Sequence, residues 1–394
     1  MFETLSPPVW VNTTQLLKQM VDDLASQDRV AVDTESNSLH AFREQVCLLQ
    51  FSTSKTDYLL DPLVLKDLSI LAPIFSNPRI EKVFHAAEYD LICLRRDFGF
   101  SFVNLFDTMQ AARVLGYPAV GLDRLLGDKF KIKMDKRHQK ANWAARPLTK
   151  DQIHYARLDT HYLFDLRDAL EQELREKQRL EYALEDFNRA CVMEEQKQRL
   201  NGESWERFSG RKDISLRELT VISQLCKWRD KEAAKLNRPP YKVVMDEIFV
   251  ALAKNPPEQK VDLSAAGLSE KQIKLWGDQV LSAIRHGVKA PLVERKQLER
   301  KNDTVLRRLE KLKAWRKSIG MEMQVESDII LPKPYLGLLS ENPPKTLDEL
   351  RDLMKDNWNV SNFFNGRQDQ CRFMDLELGV DWQEIWDILS NASP

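Results

Sequence analysis

VAVDTESNSLH, residues 30–40, begins as the inside of a sheet and ends in carboxylates. Val30, Ala31 and Val32 read as an apolar strand. Side chains on a strand alternate between faces, so Asp33 and Glu35 project the same way and Thr34 turns to the other. Two carboxylates that close repel each other unless a positive charge lies between them. The stretch therefore has two readings, acids solvated at a strand end or two ligands of a divalent cation. Eleven residues do not choose between them.

Working outward, RVAVD, QVCLLQFST and DYLLDP place three short apolar segments within residues 29–62. Their short polar connections predict consecutive strands with antiparallel neighbours. LVLKDLSILAPIF reads as a helix. KVFHAA (82–87) is a further strand, leading into EYDLICLRRDF (88–98), where positions 91, 92, 94 and 98 have helical spacing. NLFDTMQAARVLG repeats the strand-then-helix theme, so residues up to about 165 predict an α/β layer structure.

Beyond that point the strands stop. Residues 149–200 read as long charged helices, opened by the capping-box pattern Thr149-Lys-Asp-Gln152. The pattern recurs at Ser215–Glu218, Ser269–Gln272 and Thr346–Glu349, so the C-terminal half is expected to be helical throughout. NGESWERFSGRK (201–212) reads as a linker. A repeat lies in this half: WRDKEAAKLNRPPYKVVMDEIFVALAKNPP starts at Trp228 and WRKSIGMEMQVESDIILPKPYLGLLSENPP starts 87 residues later, at Trp315. So long a period suits two copies of one small helical domain rather than a solenoid. Trp228 and Trp315 are read as core anchors of the copies rather than as base-stacking platforms. The expected domains are 1–200, 211–292 and 300–394, in keeping with a length of 394 residues.

With 43% hydrophobic and 30% charged residues the composition is that of a soluble globular protein. A net charge of −1 gives no global field, so any nucleic-acid surface must be local. The five cysteines are odd in number and form no C-x-x-C pair, which argues against a disulfide framework or a zinc knuckle and for a reducing compartment. MFETLSPPVW lacks the basic start and apolar run of a signal peptide, and no run of about 18 apolar residues is present. The expectation is a cytoplasmic protein, a monomer, with no membrane partner.

The acidic pair needs partners, and two stand out. Asp90 follows the KVFHAA strand, and Asp159 lies in HYARLDTHYLFDL, four residues after Tyr155. On a helix those four residues leave Tyr155 and Asp159 about 40° apart, on one side. The order Asp33-x-Glu35, Asp90, Tyr155-x-x-x-Asp159 resembles the DEDD superfamily of 3′→5′ exonucleases, in the subgroup marked by tyrosine. VDTESNSL, KVFHAAEYDL and RPLTKDQIHYARLDTHYL are similar to the three motifs of the ribonuclease D family, and the doubled helical repeat resembles the paired HRDC domains that follow them there.

The resemblance implies an α/β ribonuclease H-like exonuclease domain, a mixed sheet with flanking helices, followed by two all-α HRDC-like helical domains. It implies two divalent ions per site, Mg²⁺ or Mn²⁺, with Asp33, Glu35, Asp90 and Asp159 as ligands and Tyr155 orienting the attacking water. Hard oxygen donors suit such ions, and two of them roughly 4 Å apart serve in-line phosphoryl displacement. The product would be a nucleoside 5′-monophosphate from the free 3′ end of an RNA, with tRNA precursors the substrate and tRNA 3′ maturation the role. The sister subgroup carries His-x-x-x-x-Asp, which His154 also fits; spacing leaves the choice open, and helix geometry and flanking sequence favour Tyr155. Asn142-Trp143 stands where family members often have Asp-Trp. Asp107, Asp123 and Asp165 read as cap, turn or surface acids.

KFKIKMDKRHQK sets six cations, Lys129, Lys131, Lys133, Lys136, Arg137 and Lys140, against one Asp, and is the expected phosphate-binding segment. Arg229, Lys231, Lys235, Arg238 and Lys242 make the first helical copy basic, whereas the second has Glu322, Glu326 and Asp328. The first copy is thus the better candidate to grip RNA. A DNA-directed 3′→5′ exonuclease and a non-catalytic RNA-binding protein on the same scaffold remain as alternatives. A helicase-linked form is disfavoured because no G-x-x-x-x-G-K-[ST] loop occurs.

Overall fold

The computed structural model describes residues 5–192, 204–295, 302–346, 349–350 and 388. It divides into two compact units, one of residues 1–35, 46–194 and 301–394, the other of residues 36–45 and 195–300.

The first unit is built on a sheet. Along the chain come β1 (Val9–Val11), α1 (Thr14–Ala25), β2 (Arg29–Ser36), β3 (Val46–Ser52), β4 (Asp57–Leu60), α2 (Ala72–Phe75), β5 (Glu81–Phe84), α3 (Ala87–Phe98), β6 (Leu105–Asp107) and α4 (Thr108–Leu115). Then follow α5 (Leu122–Phe130), α6 (Lys150–His161), α7 (Leu163–Glu176) and α8 (Leu180–Val192). The strand order is β1-β4-β3-β2-β5-β6, mixed in direction: β3 and β4 run antiparallel with Leu49 opposite Leu60, while β1–β4, β2–β5 and β5–β6 are parallel. Every residue of β3 is buried, as the apolar run VCLLQFS requires of a strand covered on both faces. Val30, Ala31 and Val32 of β2 are likewise inaccessible. The three strand expectations within 29–62 correspond to β2, β3 and β4.

LVLKDLSILAPIF departs from its helical reading. Only a single 3₁₀ turn, Ser69–Leu71, and the four-residue α2 form, with Pro73 in the first turn of α2. Proline is accepted at a helix start but not in a helix interior, so the longer helix cannot run through it. Leu68, Leu71, Ile74 and Phe75 nevertheless reach the core.

The second unit holds α9 (Leu216–Leu236), α10 (Asp246–Lys254) and α11 (Glu270–Lys289) around Leu225, Phe249, Leu252 and Val280. The expected capping boxes at Ser215–Glu218 and Ser269–Gln272 are both present. The linker reading of 201–212 is corrected from Ser204 onward: Ser204–Phe208 is a 3₁₀ turn whose Phe208 is buried in this core. Arg229 is also corrected. It is 1% exposed, donates to the Val244 carbonyl (2.9 Å) and Asp246 (2.7 Å), and lies over the Phe249 ring, so its charge serves the core rather than RNA.

The 87-residue repeat is visible in the backbone. In the first unit α12 (Asp303–Met323) matches α9, α13 (Ser327–Ile330) matches the 3₁₀ turn Pro240–Lys242, and α14 (Lys333–Glu341) matches α10. Asn237 and Gln324 both end their long helix in the left-handed region, at φ 44° and 56°. Arg316 donates to Leu331 as Arg229 does to Val244. Trp315 is buried, and Trp228 is half-buried with its ring centroid 6.3 Å from that of Trp276.

Candidate metal centre

β2 enters the middle of the sheet apolar and leaves it acidic. One carboxylate oxygen each from Asp33, Glu35 and Asp159 lie within 4.8 Å of one another. Asp159 reaches them from α6. Asp90, in the first turn of α3, is 7% exposed and stands outside that triangle, its Oδ1 accepting the Thr34 hydroxyl. Strand alternation turned Thr34 away from the pair and suggested no role for it, and the bond to Asp90 is what the sequence did not show. Asp107 caps α4 and also accepts the amides of Ala86 (3.0 Å) and Ala87 (2.8 Å), which fixes the turn that starts α3 and thereby aims Asp90. Ala86 in that turn has φ 64°.

The electrostatics follow from burial. Desolvation raises the Asp33 carboxyl to about 7, against a hydrogen bond from the Thr34 backbone. Burial, then repulsion from Asp33, Asp159 and Asp90, pushes Glu35 up to about 11. Asp90 and Asp159 are raised well above the carboxylate range, by burial first and by the neighbouring acids second. Among the described residues no Lys, Arg or His pairs with any of these four. Such a set is poor as a solvated strand end and suited to a divalent cation, because its donors are hard oxygens and no protein cation balances them. Mg²⁺ and Mn²⁺ both take such ligands.

Helix α6 is held down on both sides of Asp159. Arg157 Nε donates to Asp57 Oδ2 (2.5 Å), His161 Nδ1 lies 2.9 Å from the same oxygen, and the Ser52 hydroxyl bridges Asp57 and Thr160, 2.7 Å from each. Burial would raise Asp57, but the bonds from His161, Ser52 and Arg157 hold it below the ordinary range. The Thr149–Gln152 capping box starts the helix, and Arg146 fixes the approach by donating to Asp61 (2.6 and 2.8 Å) and to the carbonyls of Cys47 and Trp143. Cys47, Leu48, Leu59, Trp143 and Ala156 form a small core beneath it. Tyr155 is half-buried, its ring centroid 6.0 Å from Trp143 and 6.1 Å from His138. Burial and then the charges of Asp159, Glu35 and Asp33 raise its phenol, whereas His154 is exposed. Asn142 accepts the Ala144 amide in a turn.

The basic segment divides. Lys129 is half-buried, bonded to Glu173 and to the Tyr117 hydroxyl, and is not a free cation. Lys136 pairs with Asp123 (2.8 Å) and Arg137 with Asp135 (2.5 Å), while Lys131, Lys133 and Lys140 are exposed. His85 bonds Thr108 (2.9 Å) and is lowered to about 4 by burial, which keeps it neutral.

Residues 8–175 match the family model described as 3′-5′ exonuclease, and residues 218–284 match the HRDC domain. The chain is 33% identical over 303 residues to the exosome complex exonuclease RRP6 of Saccharomyces cerevisiae, covering 71% of this chain and 41% of that protein. It is 31% identical over 262 residues to human exosome complex component 10, covering 64% and 30%. The chain thus spans less than half the length of these curated relatives. Among solved structures, the catalytic core of RRP6 from Trypanosoma brucei superposes with a TM-score of 0.65 at 26% identity, covering 74% of this chain and 82% of that one. Escherichia coli RNase D superposes at 0.67 with 22% identity, covering 90% and 98%, a likeness of fold.

Proposed function

Residues 8–175 being a 3′–5′ exonuclease domain of the DEDD type and residues 218–284 an HRDC domain, we propose that the protein is a divalent-metal-dependent 3′→5′ exoribonuclease. It hydrolyses the terminal phosphodiester bond at a free RNA 3′ end and releases a nucleoside 5′-monophosphate. The convergence of Asp33, Glu35 and Asp159 within 4.8 Å, without a counter-cation among the described residues, carries the reading.

Asp33, Glu35 and Asp159, with Asp90 beside them, would hold Mg²⁺ or Mn²⁺. Bound there, two such ions supply Lewis-acid activation of water and charge stabilisation at the scissile phosphate. The chain's own residues set the geometry. Thr34 holds Asp90, the Asp57 cluster holds α6, and α6 presents Asp159 and Tyr155 together. The raised phenol of Tyr155 keeps its proton at neutral pH, so it orients water by hydrogen bonding rather than acting as a base.

RNA as the substrate is in keeping with the 33% identical relative being named an exosome complex exonuclease, and the fold is shared with E. coli RNase D, itself described as an exoribonuclease involved in structured RNA processing. We take tRNA precursors as the substrate and a cytoplasmic monomer as the acting form. The buried free thiols Cys47, Cys93, Cys191 and Cys226 are in keeping with a reducing compartment.

Incubation with 3′-extended RNA and Mg²⁺ or Mn²⁺ tests the proposal. Stepwise shortening to mononucleotides is expected, with Asp33→Ala and Asp159→Ala inactive. Degradation of DNA but not RNA would move the substrate class, and tight RNA binding without cleavage under any divalent ion would reduce the protein to a binding scaffold.

A further inference from the structure

Asp90 starts α3 from a turn that does not hold itself. Ala86, the residue before the helix, sits at φ 64°, in the left-handed region that residues other than glycine rarely adopt, and offers no side-chain cap. Such a conformation persists where its surroundings over-determine it. Here the bonds come from the N-terminal end of α4. Asp107, 2% exposed, accepts the amides of Ala86 (3.0 Å) and Ala87 (2.8 Å). The Thr108 hydroxyl donates to the Phe84 carbonyl (3.0 Å) and lies 2.9 Å from His85 Nδ1.

Helix α4 has 8 residues, so its two ends lie only ~12 Å apart. Its C-terminal end is held by the second helical copy. Arg113 donates to Glu326 (2.9 Å, from Nε) and to Asp328 (2.7 Å). Its Nη1 donates to Gln110 Oε1 (2.8 Å), and the Gln110 amide donates to Asp107 (3.2 Å). Arg179 gives one nitrogen to the Val114 carbonyl (3.1 Å) and the other to that of Met323 (2.8 Å). Gly116 meets the Gln324 carbonyl with no room for a Cβ, and Ile329 enters the core that holds Ala112 and Leu115. A continuous set of bonds thus runs from Glu326 and Asp328 through Arg113, Gln110 and Asp107 to the turn that aims Asp90, all inside one compact unit.

We infer that the second helical copy is part of the scaffold of the metal centre: seated on one end of α4, it steadies the helix whose other end fixes the β5–α3 turn, and Arg113 and Asp107 are positioning residues for Asp90. This rests on the reading of the protein as a metal-dependent exoribonuclease, with Asp90 beside the ions. A chain of hydrogen bonds and a rigid helix are the physical carriers such coupling needs. Glu326 and Asp328 have side chains 68% and 47% exposed, so the docking can be loosened there without opening a core.

The test uses the full-length protein. Mn²⁺ affinity is read by titration calorimetry without RNA, and exchange of the Ala86 and Ala87 amides by hydrogen–deuterium mass spectrometry without metal. E326R/D328R and R113E should each weaken Mn²⁺ binding about fivefold, the lower end of ordinary coupling between sites, and speed that exchange by a similar factor. At limiting Mn²⁺ both should lower kcat on an oligoribonucleotide by the same factor and leave KM for the RNA unchanged. The triple variant R113E/E326R/D328R restores the ion pairs with their signs exchanged and should bring every reading back toward the wild type. E310R/E322R, an equal charge change at exposed positions of α12, is the control and should move none of them. If E326R/D328R lacks the wild-type circular dichroism, E326Q/D328N takes its place, with the same directions expected. Docking variants whose exchange and Mn²⁺ affinity equal the control overturn the proposal, and so does a triple variant that restores nothing. A wild type that binds no Mn²⁺ or trims no RNA overturns the exoribonuclease reading instead; the exchange measurement needs neither and still decides whether the second copy holds the turn.

Discussion

Asp33 holds its proton to about pH 7 because burial penalises the anion, and that has a sign. Its folded value lies above the roughly 3.9 of an unfolded aspartate, so the folded chain keeps a proton the unfolded chain loses. The stability this confers is present below about pH 4 and is lost as pH rises through about 7. Asp33→Asn removes the loss. In EDTA the variant should melt above the wild type at pH 8, by roughly 1–2 kcal/mol of stability, and together with it at pH 4. Scanning fluorimetry reads both, and a variant that melts lower at pH 8 would show Asp33 to be stabilised as an anion. Because a cation displaces these protons, Mn²⁺ should raise the wild-type melting point more at pH 8 than at pH 6. On α6 the prediction is a contrast: Tyr155→Phe should lower kcat by about 10²-fold with little change in RNA affinity, and His154→Ala should leave both as they are. Equal losses in the two variants would undo the assignment of Tyr155. At this scale the shared face of Asp33 and Glu35 was legible, since strand alternation is a local rule, whereas Asp90 and Asp159 were joined to them by a motif order that resembles the DEDD exonucleases. The bond of Thr34 to Asp90 was not legible, because 56 residues separate them. Nor was the fate of Lys129, which reads as one more cation in a basic run until α7 brings Glu173 to it.

Helix α6 shows how an element is aimed. Nothing in HYARLDTHYLFDL says which way Asp159 points once the helix forms; Arg157 and His161, two residues to either side, decide it by meeting Asp57 on β4. Asp57 and Arg157 are 7% exposed each, so deleting one partner leaves the other buried and uncompensated. Asp57→Ala should cost about 3–5 kcal/mol, whereas Asp57→Leu combined with Arg157→Met should cost less, because a matched apolar pair replaces a matched ionic one. Urea denaturation compares them, and a double variant less stable than the single would mean that the ion pair is net stabilising. The element scale also shows why reading stops where it does. Capping boxes announced the starts of α6, α9 and α11 from four residues each. The strand sequence β1-β4-β3-β2-β5-β6 and the buried role of Arg229 depend on partners that no local pattern names.

For the whole molecule, the repeat in the sequence suggested two like domains after the α/β layer, and the backbone repeats at the same 87-residue spacing. The compact units nevertheless divide the copies: the first forms a unit with residues 36–45, and the second lies within the α/β unit. The copies differ at the turn after their long helix, where Glu326 and Asp328 of the second pair with Arg113 of α4, so an internal repeat and structural autonomy are different properties here. The α4 end of that docking is tight, since Gly116 has φ +81° and a Cβ there would overlap the Gln324 carbonyl oxygen. Each unit has its own buried core, which predicts two calorimetric transitions. Ile329 is 8% exposed within the larger core, so Ile329→Ala should weaken the α/β unit by about 2–4 kcal/mol although it lies over 200 residues from β2 in sequence. Phe249→Ala, in the other core, should lower only the second transition, by a similar amount. If Ile329→Ala shifts neither transition while Phe249→Ala shifts one, the second copy folds by itself, and the division of the chain must be redrawn at residue 301.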